Sequence, residues 1–304
     1  MKEFNSLFEL LQYFTDEEKC IKHLEKLRWP TGIICPCCGN SEKIYHIKRS
    51  HAYKCSSCKK QFSVRKGTIF EESRLPLKKW FAAAWLLTSN RKGIPSTQLA
   101  REIGVTQKTA WFMLGRLRSV AQAMGRMGGP MSGTVEIDET YIGGKERNKH
   151  KSKRLNAGRG GVGKQAVIGC RERGNRVKTE LINRTDKPEI HKFIIDNVNQ
   201  NSILYTDDFR SYKGLKGYHH KSVKHSIGEY VRGPVHTNGI ESFWSLLKRG
   251  YIGVFHHFTR KHLHRYLAEF EVRWNMSDCS EFEKFNSVLE YTSGCRLTYK
   301  GLTA

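Results

Sequence analysis

Two sets of side chains in this 304-residue chain have the types and spacing that chemistry needs. The first is acidic. Glu136, Asp138 and Glu139 fall within four residues of "VEIDETYI", Asp207 and Asp208 close the apolar run "ILYTDD", and Glu241 sits in "TNGIESFWSLLK". Between Asp138 and Asp207 lie 207 − 138 − 1 = 68 residues, and between Asp207 and Glu241 lie 241 − 207 − 1 = 33. The second set is sulfur. Cys35-x-x-Cys38 and Cys55-x-x-Cys58 stand 55 − 38 − 1 = 16 residues apart, the spacing of a four-cysteine zinc ribbon. The ion would substitute for a core that a segment of about 35 residues cannot build. Cys37, His46 and His51 are further candidate ligands, ranked below the four.

The acids need elements to hold them. Strand alternation in "TVEIDETYI" puts Val135, Ile137 and Glu139 on one face and Glu136, Asp138 and Thr140 on the other. Further strands are expected in "QAVIGCRER", "VKTELIN" and "SILYTD", with a helix opening at Asp186 and Pro188, so the second half of the chain reads as α/β. Asp207 would then stand where a strand ends, a common place for ligands. Ile240, Phe243, Trp244 and Leu247 recur at helical spacing, and the other face of that helix carries Asn238, Glu241, Ser245 and Lys248. Asn238 and Glu241 also fit a helix cap, and Asp207 or Asp208 a turn. The stretch "GRGGVGKQ" mimics a phosphate-binding loop, but Gln165 replaces the needed Ser or Thr, and the segment opens a strand rather than a helix.

Before the acids, "KKWFAAAWLLTSNRKGIPSTQLAREIGVTQKTAWFMLGRLRSV" reads as three helices with the turn Gly104-Val105, Ser96 and Thr106 as caps, and a helix-turn-helix outline. Gln107, Lys108, Thr109 and Arg116 are its outward positions and would suit a DNA major groove. The basic loop from Gly143 to Gly163, with Lys145 and Lys149 among its cations, is longer than a hairpin requires and would suit a phosphate backbone.

The charge agrees. Lys plus Arg number 53 against 29 Asp plus Glu, a formal charge of +24, which calls for a polyanionic partner. A membrane surface fits poorly: mean hydropathy is −0.58, and there is neither a run of about 18 apolar residues nor a signal-like N-terminus. Clustered cysteines without an export signal indicate a reducing compartment, so the expected location is the cytosol.

An Asp, an Asp and, about 35 residues on, a helical Glu resemble the acidic triad of DDE transposases and retroviral-type integrases. The zinc-ribbon cysteines, "IDETYIGG", "YTDDFRSY" and "HTNGIESFWSLLKRGYIGVFHHFTRKHLHRYLAEFEVRWN" together resemble the bacterial insertion-sequence transposases of the ISXO, or insertion-sequence-1595, type. The likeness runs over nearly the whole chain, roughly 4–275. It implies an RNase H-like catalytic domain, Mg²⁺ or Mn²⁺ held by Asp138, Asp207 and Glu241, with Asp138 bridging two ions, and Lys248 on DNA phosphate. Related enzymes often carry Asn where others have the third acid, which keeps Asn238, one helical turn before Glu241, as a candidate. The implied activity is cleavage and strand transfer at the terminal inverted repeats of an insertion sequence, by a dimer or higher oligomer on DNA, and the implied location is the bacterial cytosol, at the nucleoid. A DNA-binding regulator without chemistry, or an RNase H-like nuclease, are the competing readings.

The expected order of parts is a helical segment over 1–30, a zinc ribbon over 31–70, a helix-turn-helix region over 71–120, a linker over 121–132, the catalytic domain over 133–292 and a tail over 293–304.

Overall fold

The computed structural model describes residues 3–144, 146–155, 161–223 and 231–303. The chain forms two compact units, Met1–Met124 with Asp278–Ala304, and Gly125–Ser277.

In the first unit, helices α1 (Leu7–Tyr13) and α2 (Glu17–Arg28) begin where the side chains of Ser6 and Asp16 accept the N–H groups of Glu9 and Lys19. Strands β1 (Ile44–Ile47), β2 (Ala52–Cys55) and β3 (Gln61–Phe62) make an antiparallel sheet. Helix α3 (Leu77–Ser89) is apolar on nearly every side, with ten of its thirteen residues buried, so it must be covered all round. The cover comes from α1, α2, α4 (Ser96–Ile103) and a helix late in the chain. Gly104, left-handed at φ 62°, ends α4 and turns the chain into α5 (Gln107–Arg126), the helix-turn-helix outline expected. Pro95 rather than Ser96 occupies the N-cap of α4, whereas the Thr106 hydroxyl does accept the N–H of Thr109.

The second unit holds a five-stranded mixed sheet in the order β6-β5-β4-β7-β8. β4 (Thr134–Ile142), β5 (Gln165–Glu172) and β6 (Val177–Ile182) run as an antiparallel meander, and β7 (Ile203–Thr206) and β8 (His219–Ser222) lie parallel to β4. Helix α6 (Lys187–Asn197) covers one face with Ile190, Phe193 and Ile194; α7 (Asn238–Gly250) and α8 (Arg260–Asn275) cover the other with Phe243, Leu247, Leu263 and Phe270. This is the RNase H-like order that the resemblance implies. β8, "HHKS", is a polar edge strand that carries no apolar alternation to announce it. Gln165 opens β5, so the phosphate-loop mimic leads into a strand.

Three expected boundaries move. The chain rejoins the first unit at Asp278 rather than ending its second domain at 292, because α9 (Glu281–Glu290) buries Phe282, Phe285, Val288 and Leu289 in the core around α3. Residues 293–304 are no loose tail, since α10 (Tyr299–Thr303) sets Leu302 against Gly115, where a Cβ would come within 2.7 Å of it. The expected linker starts inside α5, which continues to Arg126.

Candidate active site and metal centre

Backbone register brings the first two acids together. β4 and β7 pair in parallel with Thr134 opposite Ile203 and Glu136 opposite Tyr205, an offset of 203 − 134 = 69. Carried two residues past the last pair, the same offset sets Asp207 beside Asp138, since 207 − 138 = 69. Asp207 follows the last residue of β7, and one of its oxygens accepts the Phe209 N–H at 3.0 Å. The turn reading and the site reading of Asp207 therefore coexist.

Helix α7 brings the third. Asp138 pairs across β4 and β5 with Gly169, and a Cβ on Gly169 would lie 2.7 Å from the Trp244 indole and 3.2 Å from Ile240. Only a glycine there lets α7 settle onto the sheet next to Asp138. Ile240, Phe243, Trp244 and Leu247 are buried, while Asn238, Glu241, Ser245 and Lys248 are exposed. The Thr237 hydroxyl donates to the Glu241 carboxylate at 2.7 Å, and Thr237, not Asn238, is the cap residue. Asn238 sits in the first turn of α7, and Lys248 stands seven residues beyond Glu241, about 10 Å along the helix.

The acids act on one another. Burial, then the charges of Glu139 and Asp207, and more weakly Glu241, push Asp138 up to about 7, against an opposing backbone N–H. Burial also raises Glu139 to about 7, with Asp207 adding to it and the Tyr212 hydroxyl, which donates to Glu139, working against it. Such a cluster holds protons near neutrality. A hard divalent cation that takes oxygen ligands suits it chemically.

Glu136, on the same face as Asp138, is fully buried and does different work. Its carboxylate accepts the backbone N–H of Ile240 at 2.9 Å and the Arg173 guanidinium at 2.9 Å, with Arg171 at 3.5 Å and His236 at 3.7 Å. Gly239 makes room, since a Cβ there would overlap the Arg171 guanidinium and the Glu136 carboxylate. Glu136 thus pins the N-terminus of α7, favourably placed at the positive end of the helix. It is neither solvated nor tied to the basic loop.

The four cysteines Cys35, Cys38, Cys55 and Cys58 bring their sulfurs within 4.8 Å of one another, the one such ligand group among the described residues. The Cys35–Cys58 and Cys38–Cys55 separations, 3.7 and 3.6 Å, match the roughly 3.8 Å edge of a sulfur tetrahedron built on Zn–S bonds of about 2.3 Å. Backbone N–H groups from Cys58, against burial, and then Ser57 and the neighbouring sulfurs, hold the Cys55 thiol down to about 6. Against an N–H from Asn40, burial and the same sulfurs push Cys38 up to about 12. The two opposite shifts express one fact: four thiolates do not ionise together in so small a space without a cation, and Zn²⁺ supplies it. Cys37 is exposed and His46 stacks on Tyr53, so neither joins the set.

Two family models match the chain: an ISXO2-like transposase domain over residues 130–275 and a transposase zinc-ribbon domain over 15–61. An uncharacterized protein in the transposable element ISH50 of Halobacterium salinarum is 30% identical over 296 residues, 92% of this chain and 98% of that protein. The chain belongs to the ISXO2-like transposase family. An uncharacterized transposase-like protein of Haemophilus influenzae is 31% identical over 105 residues, 34% of this chain and 84% of its own. The Mos1 strand transfer complex superposes over 74% of this chain and 79% of its own at 12% identity, with a TM-score of 0.29, too loosely to bear on the site.

The transposase's expected DNA-contact residues divide. Gln107 and Lys108 are exposed at the start of α5; the Gln107 amide donates to the Ser96 hydroxyl, and Lys108 lies over the Tyr299 ring at 5.2 Å. Thr109 is half-buried and its hydroxyl pairs with Thr106 at 2.8 Å. Arg116 is not outward: it is 5% exposed, and its guanidinium donates to the carbonyls of Ile69, Glu71 and Leu297. The returning C-terminal segment, which helical periodicity could not reveal, covers that side of α5. In the basic loop the Lys149 ammonium binds Glu146 at 2.6 Å, and Lys145 lies outside the described residues. Among the described residues no helix is long and apolar enough to cross a membrane.

Proposed function

We propose that this transposase cuts and joins DNA strands at the ends of an insertion sequence, using divalent cations held by Asp138, Asp207 and Glu241. What supports the proposal is the parallel register that sets Asp207 beside Asp138, together with the charges of Asp207 and, more weakly, Glu241, which add to burial and Glu139 in raising Asp138. When bound, Mg²⁺ or Mn²⁺ activates the attacking oxygen, of water or of a DNA 3′-OH, and stabilises the oxygen that leaves phosphorus. Asp138, at the centre of the cluster, would bridge the ions. Asp207, held by the Phe209 N–H, and Glu241, held by the Thr237 hydroxyl, would be the flanking ligands, with Asn238 on the same turn of α7 as Glu241. Lys248 would meet phosphate on the exposed face of α7. The zinc ribbon and the α4–α5 pair would bind the element's ends, with Gln107 and Lys108 foremost, and two ends would be held by at least a dimer.

Asp138→Asn tests this in the full chain with DNA carrying the element's ends. Cleavage and joining in Mg²⁺ or Mn²⁺ should fall to background while binding without either cation is kept. Undiminished strand transfer by the variant would overturn the assignment, and wild-type protein that binds but never cuts would make it a DNA-binding regulator.

A further inference from the structure

A second charged feature lies along the same edge of the sheet. β6 and β4 are both antiparallel to β5, so they run in parallel and their carboxyl ends, with that of β7, share one edge. Over β4 and β7 this edge carries Asp138, Glu139 and Asp207. Over β5 and β6 it opens into a cleft of about 410 Å³ lined by Tyr141, Lys164, Gln165, Arg184, Thr185 and Arg260, with Asp186 as its one carboxylate.

The cleft is built to hold its cations in place. Gln165 is buried; its amide nitrogen donates to the Ile182 carbonyl at 2.7 Å, which leaves its oxygen to accept from Arg260 at 2.8 Å. The Tyr141 and Thr185 hydroxyls pair at 3.2 Å and close one wall. Asp186 is occupied by Arg184 at 2.8 Å and by the Glu189 N–H. With Arg184 and Asp186 matched to each other, Lys164 and Arg260 are the cations that no carboxylate of the described lining offsets. Helix α8 adds to the same field. It opens with Arg260 and Lys261, has no acid in its first turn, and Thr259 makes no side-chain cap bond. A cation at the positive end of a helix costs stability, so Arg260 at this N-terminus favours an anion outside the helix.

We infer that this cleft is a backbone-phosphate subsite of the DNA strand that the acids act on; the inference rests on the DNA-cleaving reading above. Along β4, Asp138 and Tyr141 are three residues apart, about 10 Å at the rise of a strand. The phosphate held here would therefore be a near neighbour, on the same strand, of the one at the acids. The cleft would register the strand and carry no sequence information.

The test is binding by the full, zinc-loaded chain, with no Mg²⁺, Mn²⁺ or chelator in the buffer, to a fluorescein-labelled duplex of about 30 base pairs of arbitrary sequence, titrated across about 50 to 200 mM KCl. Each lost phosphate contact flattens the slope of log K against log salt by about 0.9, so Lys164→Gln/Arg260→Gln should flatten it by nearly 2. Lys164→Arg/Arg260→Lys should restore it. Lys192→Gln/Lys216→Gln removes the same charge from exposed positions, on α6 and ahead of β8 at the opposite sheet edge, and should change it far less. An unchanged slope in the first variant, or an equal change in the control pair, overturns the subsite. Leaving out Mg²⁺ and Mn²⁺ removes catalysis from the measurement, so a slope that changes in a protein that never cuts DNA would sink the cleavage reading and leave the phosphate subsite standing.

Discussion

Glu136→Gln keeps the shape of the side chain and removes its charge, which separates anchoring from chemistry. Glu136 is fully buried and contacts the Ile240 N–H and Arg173 at 2.9 Å and Arg171 at 3.5 Å. Removing one partner of a buried ion pair costs about 3–5 kcal/mol, chiefly because the other charge stays buried and uncompensated. The two guanidiniums here are 21% and 27% exposed, so water takes up part of the loss and the low end, about 3 kcal/mol, applies. At about 1.4 kcal/mol per decade, that is roughly a hundredfold. Hydrogen exchange followed by mass spectrometry reads it locally: amides in α7, residues 238–250, should exchange about a hundredfold faster in the variant, while those of α3 keep the wild-type rate. Cleavage should drop with it, because α7 carries Glu241. Unchanged exchange in α7 would refute the anchoring role, and faster exchange with wild-type cleavage would detach the position of Glu241 from activity.

Two further outcomes follow from named side chains. Asp138, Glu139 and Glu271 are all raised to about 7 from ordinary values of 3.8 and 4.5, so the folded chain holds protons that the unfolded chain has released between those limits. Their contribution to stability is therefore present at low pH and lost as pH rises through about 7: in EDTA the unfolding midpoint of the second unit should fall between about pH 5 and pH 8 and recover with Mn²⁺. Asp138→Asn should flatten this fall and remove the recovery; an unaltered pH profile would exclude Asp138 as a source of it. In the first unit, Arg116→Met strands three backbone carbonyls and should cost about 3 kcal/mol in denaturant unfolding, whereas Lys108→Ala should stay within about 0.5 kcal/mol yet weaken DNA binding. The reverse pattern would restore Arg116 to the DNA face.

What could be read from the sequence was whatever local periodicity decides. Asp207 ends an apolar strand, Glu241 opens an amphipathic helix, and the cysteine knuckles sit at zinc spacing; each is a statement about fewer than twenty-five neighbouring residues. What escaped was set by partners far along the chain. Arg116 fits an outward helical position until the Leu297 carbonyl arrives from 181 residues away. α9 follows α7 and α8 in sequence, yet α3, apolar all round, takes its aromatic side chains.

Glu136 and Asp138 make the same point at closer range. Alternation gives them one face and cannot tell them apart, and two acids there, both aimed beneath a helix, would look equally suited to a metal. The difference is depth under α7. Glu136 lies beneath the helix N-terminus, where a backbone N–H and two arginines neutralise it. Asp138 lies two residues nearer the edge, beside Gly169, where its nearest charges are other acids. A carboxylate already matched by cations has no need of a metal, and one beside other carboxylates has; that contrast, rather than position in the motif, is what favours Asp138 as the proposed ligand and leaves Glu136 as the anchor.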